Sequence, residues 1–202
     1  MKRFLILASL SAVLGCGSSN RHLNLPPDTI LAGAGKTVIN PPVGIPMAGY
    51  GADRKVTGIE DDLYARCVAL SFAGYLKPVV FVSVDLIGFL RYDVQLVKEA
   101  LGGHRMLFIM ATHTHSGPDT LGIYGGRDEA YMAEVRGKIV QLVKMTCRNL
   151  EPAKLYHGNV SSRGLSKNWR EFGEVDDDIN VIAVQGNKGF VATLVNFGCH
   201  PE

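Results

Sequence analysis

Hydrophobic positions along the chain recur with two periods, and the changes between them mark out the elements. Residues 32–39 (AGAGKTVI) read as a first strand. Residues 40–58 carry Pro41, Pro42, Gly44, Pro46, Gly49, Gly51 and Gly58, a spacing that interrupts both helix and strand and predicts a long loop. Residues 63–72 and 78–84 predict a hairpin around Gly74. The second of these runs, PVVFVSV, is almost continuously apolar, as in a strand covered on both faces. Residues 91–101 predict a short helix stopped by Gly102-Gly103, and residues 105–111 (RMLFIMA) a further buried strand. The longest helix is expected over 128–149, with Asp128 and Glu129 in its first turn and Val135, Ile139, Leu142 and Val143 on one face. Strands near 153–160, 179–184 and 190–197 follow, the last (FVATLVNF) again read as buried. The expected fold class is α/β, with mixed β-sheets packed against helices. No internal repeat and no interdomain linker is visible after residue 32.

The N-terminus breaks this pattern. Met1-Lys2-Arg3 is positive, and Phe4 to Leu14 is an uncharged apolar run, too short for a membrane-spanning helix and suited to a signal peptide. It ends at Gly15-Cys16, which resembles a bacterial lipobox, in which the cysteine is lipidated and becomes the first residue. The sequence is therefore divided into a lipoprotein signal over 1–16, a tether over 17–31 and a catalytic-type domain over 32–202. The expected location is outside the cytoplasm, on a bacterial membrane in the periplasm or at the cell surface, held by acyl chains that anchor without spanning.

Composition narrows the classes. Of 202 residues, 47% are hydrophobic and 20% charged, which excludes a disordered chain or a coiled-coil rod. The net charge is +2 with no basic cluster, so no nucleic-acid partner is expected. The cysteines are Cys16, Cys67, Cys147 and Cys199; no C-x-x-C occurs, and with Cys16 lipidated the other three allow one disulfide whose pairing the sequence leaves open.

The chemistry sits after the run 105–111. There THTHSGPD, Thr112 to Asp119, interrupts an apolar strand with polar residues. In extended chain His113 and His115 point to one side, and two imidazoles at the carboxyl end of a strand are a common metal-ligand arrangement. The pattern alone also fits two loop histidines with structural hydrogen bonds. The continuation SGP excludes the H-x-H-x-D-H pattern of metallo-β-lactamases, and the preceding strands argue against an amidohydrolase barrel. His200 lies just past another strand end, 87 residues after His113, where it could share a metal with that pair. Arg66 stands in an otherwise apolar strand and calls for a carboxylate, with Glu60, Asp61 and Asp62 as candidates. Asp85 reads as a turn-capping residue, or as one that supports a metal ligand. Glu174, Asp176, Asp177 and Asp178 read as a solvated turn, and His22, His104 and His157 as surface or ordinary core histidines.

Several segments together resemble the N-terminal part of the neutral/alkaline, non-lysosomal ceramidases and their bacterial relatives, from about Ala32 onward. They are AGAGKTVINPP, MAGY (Met47–Tyr50), GIEDDLYAR (Gly58–Arg66), VFVSVDL (Val80–Leu86), ATHTHSGP (Ala111–Pro118) and VNFGCHP (Val195–Pro201). ATHTHSGP is the most specific of them.

The resemblance implies the fold of the N-terminal portion of that catalytic domain. It implies a zinc-dependent amidase that cleaves the N-acyl bond of ceramide or a related lipid amide at a membrane surface. By position, His113 and His200 would be zinc ligands and His115 would stand beside the metal, bonding substrate. Arg170, in SKNWR, is the nearest counterpart of an element that contacts the polar head. The family's remaining ligands, a Glu and a Tyr, and its catalytic serine come from further along the chain, and Glu202 is not a match for that Glu. The chain as given is thus expected to be a truncated piece that lacks turnover and holds zinc poorly. Glu60 replaces a family histidine, which puts the substrate in question. The alternative is a catalytically inactive surface lipoprotein that binds lipid or glycan.

Overall fold

The computed structural model describes residues 30–72, 77–104, 106–168, 170 and 173–200. The signal segment, Cys16, His22, the tether up to residue 29 and Gly74 lie outside the described residues, while Ile30 and Leu31, expected in the tether, already belong to the first strand. The elements are β1 (Ile30–Val38), β2 (Tyr64–Ser71), β3 (Val79–Val84), α1 (Arg91–Ala100), β4 (Leu107–Ala111), α2 (Glu129–Arg148), β5 (Glu151–Ser161), β6 (Asp178–Gly186) and β7 (Gly189–Phe197). Each corresponds to a segment expected from the sequence, with ends shifted by no more than two residues. The strands form one mixed sheet in the order β4-β3-β2-β1-β5-β6-β7. Only β3 and β4 are parallel, joined by α1 as a βαβ crossover; the other neighbours are antiparallel. Among the described residues no helix is long and apolar enough to cross a membrane.

The two helices pack side by side on one face of the sheet, with α2 lying over β1 and β2. Alternation sends Ala65, Cys67 and Ala69 of β2 and Val80, Val82 and Val84 of β3 to that face, where they meet Val97 and Leu101 near α1 and Met132, Val135, Ile139, Leu142 and Val143 of α2. Helix α2 starts where Asp128 accepts a hydrogen bond from the Tyr131 amide at 2.8 Å. Helix α1 ends in a left-handed glycine pair, with the Gly103 amide donating to the Lys98 carbonyl at 2.8 Å. The two helices are bound by Asp93, fully buried, which accepts from Arg127 at 2.6 and 2.8 Å and from Arg136 at 2.7 Å. Burial alone would raise the Asp93 pKa, but the two guanidinium groups outweigh it and hold the carboxyl below its ordinary range.

The opposite face carries a smaller core. Leu70, Val68 and Phe81 pack there with Leu155 of β5, Val184 of β6 and Leu194 of β7. The β5–β7 ribbon therefore folds back across β2 and β3, as a strongly twisted sheet of this size allows.

Four expectations need correction. The strand at 105–111 is not buried throughout: β4 is an edge strand, with Phe108 and Met110 each 46% exposed. The strand at 190–197 is not buried either, since β7 is the other edge and leaves Phe190 and Val195 largely in solvent. Strand β3 is fully covered only on its helix-facing side. A continuous apolar run records what both faces could bury, and an edge position decides how much they do. Arg66 pairs with Asp85 at 2.6 Å, not with Glu60, Asp61 or Asp62. The cross-strand register puts the end of β3 beside the start of β2, so Asp85 also accepts from the Tyr64 amide at 2.9 Å. Asp62 instead takes Asn40 at 2.7 Å. His104 is buried and His157 exposed, as ordinary histidines.

Candidate metal centre

Because β3 and β4 are parallel, their carboxyl ends open on the same edge, and both chains continue side by side. The Thr112 amide donates to the Val84 carbonyl at 2.9 Å and the His113 amide to the Leu86 carbonyl at 3.0 Å. His113 itself is left-handed, with φ 62°, a conformation uncommon for a residue with a side chain. The extended backbone expected for the H-x-H pair is therefore not what aligns the rings. A reversal at His113 turns its imidazole toward His115 all the same, with ring centroids 5.2 Å apart.

The second ring is set by the long loop 40–58. Its residues 46–48 pair with 117–119: the Ala48 amide donates to the Gly117 carbonyl at 3.0 Å and the Asp119 amide to the Pro46 carbonyl at 2.8 Å. This docks Gly49 directly on His115, so closely that a side chain there would overlap the His115 Cβ. Tyr50 meets the His115 ring edge-on at 5.4 Å, with Arg54 over the tyrosine face. His115 is 8% exposed, and its Nδ1 is buried without a hydrogen-bond partner among the described residues.

His200 arrives three residues after β7. Its ring lies 4.8 Å from that of His113 and 4.9 Å from that of His115. One nitrogen of each histidine falls in a group spanning 4.8 Å. The Nε2 atoms of His113 and His200 are 3.0 Å apart. Two nitrogens sharing a tetrahedral zinc at about 2.05 Å would lie roughly 3.3 Å apart, so the observed spacing fits a common ion. The His113 Nδ1 is 2.7 Å from the Ile87 carbonyl. A carbonyl only accepts, so Nδ1 carries the proton and Nε2 keeps its lone pair for the cluster.

The structure thus brings His113, His115 and His200 together. Arg170 stands apart: it is exposed on the loop before β6, its amide held by Asn168 at 2.9 Å, and its side chain makes no bond or ring contact with the histidines among the described residues. Asp85 also lies outside the cluster, engaged with Arg66. The sequence reading missed the Ile87 carbonyl, for which backbone carries no signal, and Asp119. The Asp119 carboxylate accepts the amides of Leu121, Gly122, Tyr124 and Gly126 at 2.7–3.3 Å and so shapes the loop after the histidines. The Asp-to-glycine spacing in DTLGIYGG was the available clue.

No family model matches the chain. A neutral ceramidase of Pseudomonas aeruginosa is 28% identical over 139 residues, covering 60% of this chain and 20% of that protein. The crystal structure of neutral ceramidase from P. aeruginosa superposes with a TM-score of 0.73 at 21% identity, over 86% of this chain and 32% of that one. A structure of ceramidase complexed with C2 gives 0.74 at 21% identity, over 86% of this chain and 31% of that one. The chain spans between a fifth and a third of the relatives it matches. The chain is thus similar to neutral ceramidase in sequence over 139 residues and shares the fold of part of it, a mixed α/β sheet with two helices.

Proposed function

We propose that the histidine centre serves a zinc-dependent hydrolase that cleaves the N-acyl amide bond of ceramide or a related lipid amide. The observation that carries this reading is the convergence of three imidazoles from two remote segments, with one nitrogen of each inside 4.8 Å. Likeness to neutral ceramidase supplies the reaction class and the lipid amide substrate. His113 and His200 are the zinc ligands, through Nε2 in each case, and the Ile87 carbonyl keeps His113 in the tautomer that can ligate. Bound zinc polarises an amide carbonyl and lowers the pKa of water. His115, wedged between Gly49 and Tyr50, is held where it can donate to or accept from the substrate beside the metal. Arg170 is assigned to the polar head of the substrate. Lipidation at Cys16 would bring the protein to the membrane that holds its substrate.

Metal analysis of the purified protein and of three variants tests this. His113→Ala and His200→Ala should each lose zinc, whereas His115→Ala should keep most of it and lose amide hydrolysis in the active protein. Full zinc occupancy in both of the first two variants would place the metal elsewhere and overturn the assignment. Membrane retention after Cys16→Ala would refute the anchor.

A further inference from the structure

The segment that fixes the His113 tautomer has no regular structure of its own. Residues 85–90 link β3 to α1 with bends at 85–87, yet Leu86 and Ile87 are buried and the Ile87 carbonyl must stay on the His113 Nδ1. Its next residue is gripped from the far side. The Thr120 hydroxyl, fully buried, donates to the Gly88 carbonyl at 2.6 Å. Leu121 fills the space beside Gly88 so tightly that a Cβ on Gly88 would fall 2.5 Å from the Leu121 Cδ2. The gripping loop is itself rigid, since Asp119 binds four of its amides and Arg127, tied to Asp93, reaches the Thr120 carbonyl at 3.4 Å.

We propose that Thr120 is a positioning residue for the metal centre: through the Gly88 carbonyl it holds the adjoining Ile87 carbonyl on the His113 Nδ1, and so fixes the ring and tautomer that present Nε2 to the ion. The proposal rests on the reading of His113 as a zinc ligand. Valine has the shape of threonine without the hydroxyl, so Thr120→Val keeps the packing and releases the Gly88 carbonyl. His113 then also samples the form protonated on Nε2, which cannot ligate through that nitrogen. Partners that orient a ligating histidine from behind are commonly worth about 10- to 100-fold in metal affinity.

Two measurements on the whole chain test this. Nitrogen-15 histidine spectra of the metal-free protein read the tautomer, and zinc titration against a competing chelator reads the affinity. Wild type and Thr120→Ser should show His113 protonated on Nδ1, and Thr120→Val a mixture. Zinc affinity should fall about tenfold or more in Thr120→Val and recover in Thr120→Ser. Ile139→Val, a core change in α2, should lower stability and leave both readings alone. An unchanged tautomer and zinc affinity in Thr120→Val would overturn the proposal. A tautomer change in a protein that binds no zinc would uphold the role of Thr120 and overturn the zinc reading instead.

Discussion

Replacing Gly49 with alanine tests how the long loop is docked on the site. Gly49 has φ 104°, and an added Cβ would lie 2.4 Å from the His115 Cβ, 2.7 Å from its Cγ and 2.8 Å from its Cα. Carbon atoms in contact prefer about 3.5 Å or more, so the loop or the histidine must retreat by about 1 Å. Gly51 provides the internal control, because it has φ 96° and nothing within 4 Å of its would-be Cβ. The backbone cost of alanine at such a φ, about 1–3 kcal/mol, applies to both. The overlap, about 1–3 kcal/mol, applies to Gly49→Ala alone. For a chain of this size a difference near 2 kcal/mol separates the melting temperatures by about 4–8 °C. Calorimetry of the two variants, metal-free, reads that difference, and the His115 ring signals should shift only in Gly49→Ala. Equal melting temperatures with unmoved His115 signals would show that the loop is not seated against His115, and the description of the site would fail.

Asp93→Asn should cost about 3–5 kcal/mol in urea unfolding at pH 7, because it leaves Arg127 and Arg136 without their buried carboxylate. Since the folded pKa of Asp93 is lowered, its stabilisation is present above the ordinary carboxylate pKa and is lost as pH falls through the lowered value; the Asn variant should therefore lose less stability on acidification than the wild type. His104 has its pKa lowered by burial and by Lys77, so the fold favours its neutral form, and stability should fall as pH drops below about 6.5. His104→Leu should flatten the stability profile between pH 7 and pH 5, and an unaltered slope would remove His104 from the account. Asp119→Ala should speed hydrogen exchange at the amides of Leu121, Gly122, Tyr124 and Gly126 while leaving those of α2 protected, and uniform protection would show that the carboxylate does not hold the loop.

What the sequence determined by itself is local. The period of the apolar positions sets α2, Gly102-Gly103 stops α1, and prolines and glycines keep residues 40–58 out of any strand, because these depend on neighbours a few residues apart. The motif THTHSGP marked the chemistry for the same reason. The tertiary structure decided the rest. His113 follows β4 and His200 follows β7, which are the two opposite edges of the sheet, and only the return of the β5–β7 ribbon across β2 and β3 brings their Nε2 atoms to 3.0 Å. Edge position left Phe108 and Val195 exposed where the apolar runs suggested burial, and cross-strand register gave Arg66 to Asp85 rather than to the nearer acids. The Ile87 carbonyl that sets the His113 tautomer belongs to backbone common to every residue, so only the path of the folded chain could select it.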